Sequence, residues 1–341
     1  MTQESHSAPT AGPGAAPGAS GAPRVPAPAP SPDAAPAAPA AHAHRLRALD
    51  PLLPGVLELP EPESGDVELA VPGGAGRYRR TRSEPTEPAA LWEALDSHRL
   101  HARLDHPEAV ATLDDLLQEW WVHVLASHPE NEAEAVLDWP SRDTAVTRTL
   151  LRNGLAPRRV VAIRPAGRPA PPAPDGVRLR PLAPGDEERA AALWMEELRW
   201  DARCGNGAVR PGAEEFFRER FARRAAAPGE LGRCWVAEDE RGTVRGVVVV
   251  EPPALSGWAA RLTSVPGPAC LPLLSVEAGR RGRGLGAALA AAAHGWLDAE
   301  GVGATLLHYS AMNPLSAPFW HRCGYRPLWT TWSGRPAIGD L

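Results

Sequence analysis

Eight residues, Arg280-Arg281-Gly282-Arg283-Gly284-Leu285-Gly286-Ala287, stand between an apolar run that reads as a strand and an alanine-rich run that reads as a helix. The first N–H groups of a helix have no partner inside it and the dipole there is positive, so a loop of this kind can receive an anionic phosphate. Glycines at 282, 284 and 286 let the backbone approach a pyrophosphate closely and permit positive φ. Arg280, Arg281 and Arg283 add charge-assisted donors. Gly282-x-Gly284-x-x-Ala287 also satisfies a dinucleotide-binding fingerprint. That reading needs the glycine close behind the strand and an acid about 20 residues on. Here Ala278–Arg281 precede the first glycine and the next strand ends in His308-Tyr309-Ser310, so the dinucleotide reading is set aside.

A second motif follows. Arg281-Gly282-Arg283-Gly284-Leu285-Gly286 fits (Gln/Arg)-x-x-Gly-x-(Gly/Ala) at every position. Downstream, Asn313-Pro-Leu-Ser-Ala317-Pro-Phe319-Trp320-His321-Arg-Cys323-Gly324-Tyr325 looks like Asn-x-x-Ala-x-x-Phe-Tyr-x-x-x-Gly-Phe, with Ser316, Trp320 and Tyr325 standing at the Ala, Tyr and second Phe positions. On these two motifs the chain from Val177 to Trp332 resembles the GNAT superfamily of acyl-CoA-dependent N-acetyltransferases. The resemblance implies acetyl-CoA as co-substrate, its pyrophosphate on the backbone of Arg281, Gly282, Arg283, Gly284, Leu285, Gly286 and Ala287. It places the pantetheine in a splay between LPLLSVE and ATLLHYS, with a backbone N–H near Ser275 or Val276 polarising the thioester carbonyl. Asn313 would bond the cofactor's amide arm, and Phe319 falls on the family's cofactor segment.

Acetyl transfer to an amine also needs a base for the attacking ammonium and a donor for the departing thiolate. Glu277, directly after Val276, is the first base candidate and Glu251 the second. The family's tyrosine acid is replaced by Trp320, whose indole is a poor proton donor, which leaves Tyr309, His308 and His321. On an alternating strand His308 and Ser310 share one face and Tyr309 takes the other. Arg180, Glu196, Glu197, Trp200 and the 254–270 loop are expected to border the acceptor pocket.

The elements that must hold these residues follow from periodicity. From Val177 the order reads β, α, α, β, β, β, α, β, α, β, an α+β unit with a layered, mixed central sheet flanked by helices. Upstream, residues 88–100 and 107–127 read as helices, 134–139 as a strand, and TAVTRTLLRNG as a helix ending at Gly154 before the strand RRVVAIR. A shift of 170 residues lays 143–157 on 313–327 with Arg152/Arg322, Gly154/Gly324 and Pro157/Pro327 identical. The first half therefore resembles a second, degenerate GNAT-like domain, a tandem arrangement similar to that of mycothiol synthase. Its cofactor loop is lost: HARLDHPEAVATLDD has no glycine, and Asp114-Asp115 would repel a phosphate. The expected organisation is a disordered Ala/Pro-rich tail at 1–43, the degenerate domain at 44–164, a Pro-rich linker at 165–176 and the transferase domain at 177–341.

Composition bounds the rest. The chain has 341 residues and a net charge of −5, and all of its 36 basic residues are arginine, so chemistry that needs a lysine is excluded. The balance argues against a nucleic-acid partner. The four cysteines form no metal-ligand spacing, no apolar run is long enough to span a membrane, and no signal segment is present, which points to a cytoplasmic protein without a metal. The reading is an N-acetyltransferase that moves an acetyl group from acetyl-CoA to a primary amine of a small molecule or peptide by direct attack in a ternary complex. The alternative is a catalytically silent acyl-CoA-binding or interaction module. No sequence signal sets the oligomeric state.

Overall fold

In the strand Ala133–Pro140, Ala135, Leu137 and Trp139 alternate toward one apolar cluster while Asp138 stays exposed, and the same two-residue period builds the other strands. The computed structural model describes residues 39–55, 58–104, 109–129, 132–168 and 177–335, all within one compact unit. The first half contributes α1 (Pro39–Leu49), β1 (Val67–Val71), β2 (Gly74–Arg82), β3 (Asp96–Leu104), α2 (Ala109–Ala126), β4 (Ala133–Pro140), α3 (Thr147–Arg152) and β5 (Ala156–Pro165). The second contributes β6 (Arg178–Pro181), α4 (Glu187–Arg203), α5 (Ala213–Ala226), β7 (Arg233–Glu238), β8 (Val244–Glu251) and β9 (Ala269–Val276). It continues with α6 (Leu285–Ala299), β10 (Ala304–Ser310), α7 (Ser316–Arg322) and β11 (Arg326–Gly334). From Val177 on, this is the order of elements read from the sequence.

The strands share one mixed sheet, in the order β1-β2-β3-β4-β11-β5-β10-β9-β8-β7-β6. Only β3–β4 and β9–β10 run parallel. The last strand of each half lies in the other half's territory: β11 is inserted between β4 and β5, and β5 between β11 and β10. Both insertions are antiparallel. One face of the sheet carries α2 and α3 over the first half and α6 and α7 over the second. The opposite face carries α4 and α5 over β7–β9, and α1 with the turn Gly257–Leu262 over β5, β10 and β11. The first half has its own apolar centre in Leu113, Leu116, Leu117 and the fully buried Trp120 of α2. Truncating a buried tryptophan of this kind to alanine costs about 3–5 kcal/mol.

Two sequence expectations are corrected. Residues 88–100 are not a helix: Pro88–Leu91 make one 3-10 turn, and Asp96–Leu104 is β3. Leu100 and Leu104 turn toward α2 while Arg99 and His101 turn away, a period of two that the short apolar count concealed. The expected tail at 1–43 ends earlier, because Pro39 already opens α1, where the buried His42, Ala43 and Leu46 fall at helical spacing. The remainder of that tail and positions 169–176 of the expected linker lie outside the described residues; Pro165 belongs to β5.

Candidate active site

The loop between β9 and α6 is shaped by two left-handed glycines, Gly282 with φ 76° and Gly284 with φ 86°, the latter capping α6. A side chain at either would be strained, so glycine is required by the backbone. The N–H groups of Leu285, Gly286 and Ala287 open the helix and have no intrahelical acceptor. Phe319 of α7 packs on this first turn: a Cβ at Gly286 would come within 3.3 Å of its ring. Arg283 is exposed at the loop tip, whereas Arg281 is folded inward, its Nε donating to Val276 O at 3.1 Å and its guanidinium 5.8 Å from the Trp200 ring.

Behind the loop the sheet splits. β9 and β10 pair only at Ala269–Thr305 and Cys270–Leu306, so Leu271–Val276 have no ladder partner on the β10 side. An open parallel splay ending at a helix N-terminus offers unpaired strand backbone beside an anion site. Helix α4 crosses over this gap. On the β9 side Ser275 Oγ donates to Leu193 O at 2.8 Å. On the β10 side Trp200 Nε1 donates to Asn313 Oδ1, and Asn313 Nδ2 donates to Asp201 Oδ1, each at 3.0 Å.

This crossing sets a pair of carboxyl groups over the splay. Glu197 and Asp201, one helical turn apart on α4, are hydrogen-bonded to each other, and Asn206 Nδ2 also donates to Asp201 at 3.2 Å. Burial pushes the Glu197 carboxyl well above its usual range, and the neighbouring Asp201 charge adds to the rise. Burial also raises Asp201, although its bonds to Asn313 and Asn206 oppose the rise. Two carboxyls this close share a proton, the arrangement from which a base working near neutral pH is made.

The residues singled out from sequence are distributed as follows. Gly282, Gly284, Leu285, Gly286, Ala287 and Phe319 come together at the loop, and Ser275 and Val276 end the unpaired edge of β9. Asn313 is buried at the splay, with both ends of its amide engaged by Trp200 and Asp201. Glu277 is held by two guanidinium groups, Arg189 at 2.6 Å and Arg245 at 2.9 Å. Glu251 lies at the other end of β8, 3.6 Å from Arg224. Tyr309 and His321 are brought together, Tyr309 Oη standing 3.2 Å from His321 Nε2, and burial pushes the Tyr309 hydroxyl up to about 12. Trp320 and Tyr325 pack edge to face in the core, and Tyr325 Oη lies 2.9 Å from His294 Nε2. Arg180 is tied to Asp186 and Glu238 at the β6 edge. Asp201 went unnoticed in the sequence because only the path of α4 brings it to Asn313.

In the first half the corresponding strand edge is occupied at Leu104. Under the 170-residue shift Leu104 and Asp143 stand where Leu274 and Asn313 stand in the second half. Helix α1 joins them: His42 Nδ1 lies 3.0 Å from Leu104 O and 3.1 Å from Leu104 N, and Arg45 is ion-paired with Asp143. The strand edge left open in β9 is thus covered at Leu104 by the His42 imidazole. Among the described residues no group of three His, Cys, Asp or Glu side chains could hold a metal ion, and no helix is long and apolar enough to cross a membrane.

The second half thus brings together a glycine loop on a helix N-terminus, an open parallel splay and a carboxyl pair on the helix that crosses it. Residues 194–325 match the model of the Acetyltransferase (GNAT) family, a match that supports an acyltransferase. The chain is also similar in structure to a GCN5-related N-acetyltransferase from Sphaerobacter thermophilus, at 18% identity over 80% of this chain and 79% of the other, with a TM-score of 0.49. A tandem GNAT protein from the clavulanic acid biosynthesis pathway aligns at 16% identity over 78% of this chain and 80% of its own, with a TM-score of 0.40. A GCN5-related N-acetyltransferase from Kribbella flavida aligns at 15% identity over 89% and 98%, with a TM-score of 0.43. No curated protein matches the chain.

Proposed function

We propose that the protein transfers an acetyl group from acetyl-CoA to a primary amine, by direct attack of the amine with both substrates bound in the second half. The observation that carries this reading is the open splay of β9 and β10 leading to the Gly282–Ala287 loop, set against the first half, where His42 covers the corresponding edge. The residues present fit a CoA carrier: free N–H groups at α6 suit a pyrophosphate, and the unpaired backbone of β9 suits the amides of a pantetheine arm. Acetyl-CoA, when bound, supplies the activated acyl group as a thioester.

The other tasks fall to this chain's side chains. The Glu197–Asp201 pair takes the proton from the acceptor ammonium, because its raised affinity for protons places it nearer working pH than an exposed carboxylate. Glu277, clamped by Arg189 and Arg245, anchors the end of β9 instead. Asn313 is a positioning residue that orients Asp201. A backbone N–H at Ser275 or Val276 polarises the acyl carbonyl. Tyr309, hydrogen-bonded to His321, is the proton donor on the opposite face of β10, in place of the hydroxyl that Trp320 lacks. The step balances: the ammonium gives one proton to the carboxyl pair, the amine nitrogen forms the new C–N bond as the C–S bond breaks, the thiolate takes a proton from Tyr309, and the second proton lost by the nitrogen, passed through solvent, replaces the one Tyr309 gave. Release of free thiol from acetyl-CoA in the presence of a panel of primary amines tests this; amine-dependent release is expected, and none with any amine contradicts it.

A further inference from the structure

The three arginines of the β9–α6 loop are placed differently. Arg283 is exposed at the tip, and Arg280 lies 3.7 Å from Asp239. Arg281 turns inward: its Nε donates to the carbonyl of Val276, the last residue of β9, at 3.1 Å, and its guanidinium lies over the Trp200 ring, 5.8 Å from the centroid. An indole face attracts a cation and suits the flat guanidinium group. Trp200 passes the contact on, because its Nε1 donates to Asn313 Oδ1 and Asn313 Nδ2 donates to Asp201 Oδ1, each at 3.0 Å. Asp201 is in turn hydrogen-bonded to Glu197, one helical turn before it on α4. A continuous row of side chains therefore runs from the first residue of the loop signature to the carboxyl pair.

The neighbouring guanidinium groups at this end of the sheet are committed elsewhere. Arg189 and Arg245 hold Glu277 at 2.6 and 2.9 Å, and Arg245 also reaches Asp239 at 2.8 Å. The groups facing the carboxyl pair are Trp200 and the Cys204 thiol on α4, Asn206 in the loop that follows, Asn313 after β10, and Arg281. The indole and the two amides carry no charge, and burial, with Asp201 adding to it, pushes the Cys204 thiol up, so it stays protonated. Arg281 supplies the positive charge. Burial raises the affinity of Glu197 for its proton most, Asp201 adds to the rise, and the Arg281 guanidinium opposes it. Two buried carboxyls with no countercharge would hold their protons too tightly to act as a base near neutral pH.

We infer that the Arg281 side chain is a positioning residue for the Glu197–Asp201 pair, the countercharge that keeps these carboxyls ionised at the splay, and that it is not a ligand of the cofactor's diphosphate. The diphosphate is left to the backbone N–H groups that open α6. This inference rests on the acetyl-transfer reading for the pair's role as base, but the protonation of the pair is readable without turnover.

The test is a carbon-13 NMR titration of the full-length protein labelled at the glutamate side-chain carboxyl, with the Glu197 resonance identified by its absence from Glu197→Gln. In Arg281→Gln, which keeps the loop signature, the Glu197 midpoint is expected to move up by about one pH unit. Arg281→Lys, which keeps a positive charge, is expected to recover at least part of that shift. A midpoint that stays in place in Arg281→Gln, or that moves as far in Arg281→Lys, overturns the inference. CoA binding weakened tenfold or more in Arg281→Gln at an unmoved midpoint would give the side chain to the diphosphate instead. Failure of the transfer reading would show separately, as absence of amine-dependent thiol release while the midpoint still shifts.

Discussion

Val160 and Thr330, 170 residues apart in the chain, are direct partners across the β5–β11 pair. The same shift carries each onto the other, so they lie on the pseudo-twofold axis of the sheet. It also carries the β10–β5 register onto the β4–β11 register, since Ala304 with Pro165 and Gly334 with Ala135 fall on equivalent diagonals. The two halves are joined as the protomers of a strand-exchanged dimer are joined, within one chain.

The second half alone should therefore not remain monomeric. Residues 177–341 leave the β5 side of β10 unpaired and carry β11 with no partner of its own. Light scattering of that fragment should report a dimer in which two copies of β11 replace the β5–β11 pair, or aggregation. A stable monomer would mean that the exchanged strands contribute little.

Gly154 and Gly324 close equivalent helices, with φ 74° and 91°. A Cβ at Gly154 meets nothing within 4 Å, so Gly154→Ala isolates backbone strain and should cost about 1–2 kcal/mol. At Gly324 a Cβ would also meet Arg168 Cδ at 2.8 Å, a side chain able to move away. Thermal unfolding should lower Tm by similar amounts in the two variants; an unchanged Tm would contradict the need for glycine.

Glu197→Gln should separate activity from stability. Because the folded-state affinity of Glu197 for its proton is raised, its contribution to stability is present below the unfolded carboxylate range and lost as pH rises through the folded value. Above that value the ionised carboxyl beside Asp201 destabilises the fold. The glutamine variant should have a higher Tm than the parent at pH 8 and lose the acid limb of its pH–rate profile, with kcat lower by about 10²-fold or more. A lower Tm with full activity would remove Glu197 from the mechanism.

Tyr309→Phe should reduce kcat by about 10²-fold while leaving KM for acetyl-CoA near its parental value. The buried hydroxyl, pushed up to about 12, stays protonated through the assay range, so the alkaline limb should belong to another group. Loss of that limb in the phenylalanine variant would contradict this.

Much of the site was legible because its signals are local. Gly282 and Gly284 are fixed by backbone conformation, and the run Leu285–Ala299 by helical period, so loop and helix could be read in a short window. The carboxyl pair was half visible: Glu197 was expected near the acceptor pocket, but the bond that ties its partner Asp201 to Asn313 spans 112 positions. The 170-residue repeat could also be read, whereas the exchange of β5 and β11 could not. A strand's sequence records how many of its faces are buried, not which neighbour supplies its hydrogen bonds. Strand β3 was misread because Leu100 and Leu104 suit either a helix or a strand until β2 and β4 are seen on both its sides.

The central claim is that one CoA site exists and lies in the second half. Titration of acetyl-CoA into the full-length protein, followed calorimetrically, should give about one equivalent bound. Ala287→Glu adds a carboxylate at the first turn of α6, which favours the helix and repels a pyrophosphate, so it should fold normally and bind no acetyl-CoA. Binding that survives in this variant, or no binding in the parent, would contradict the assignment.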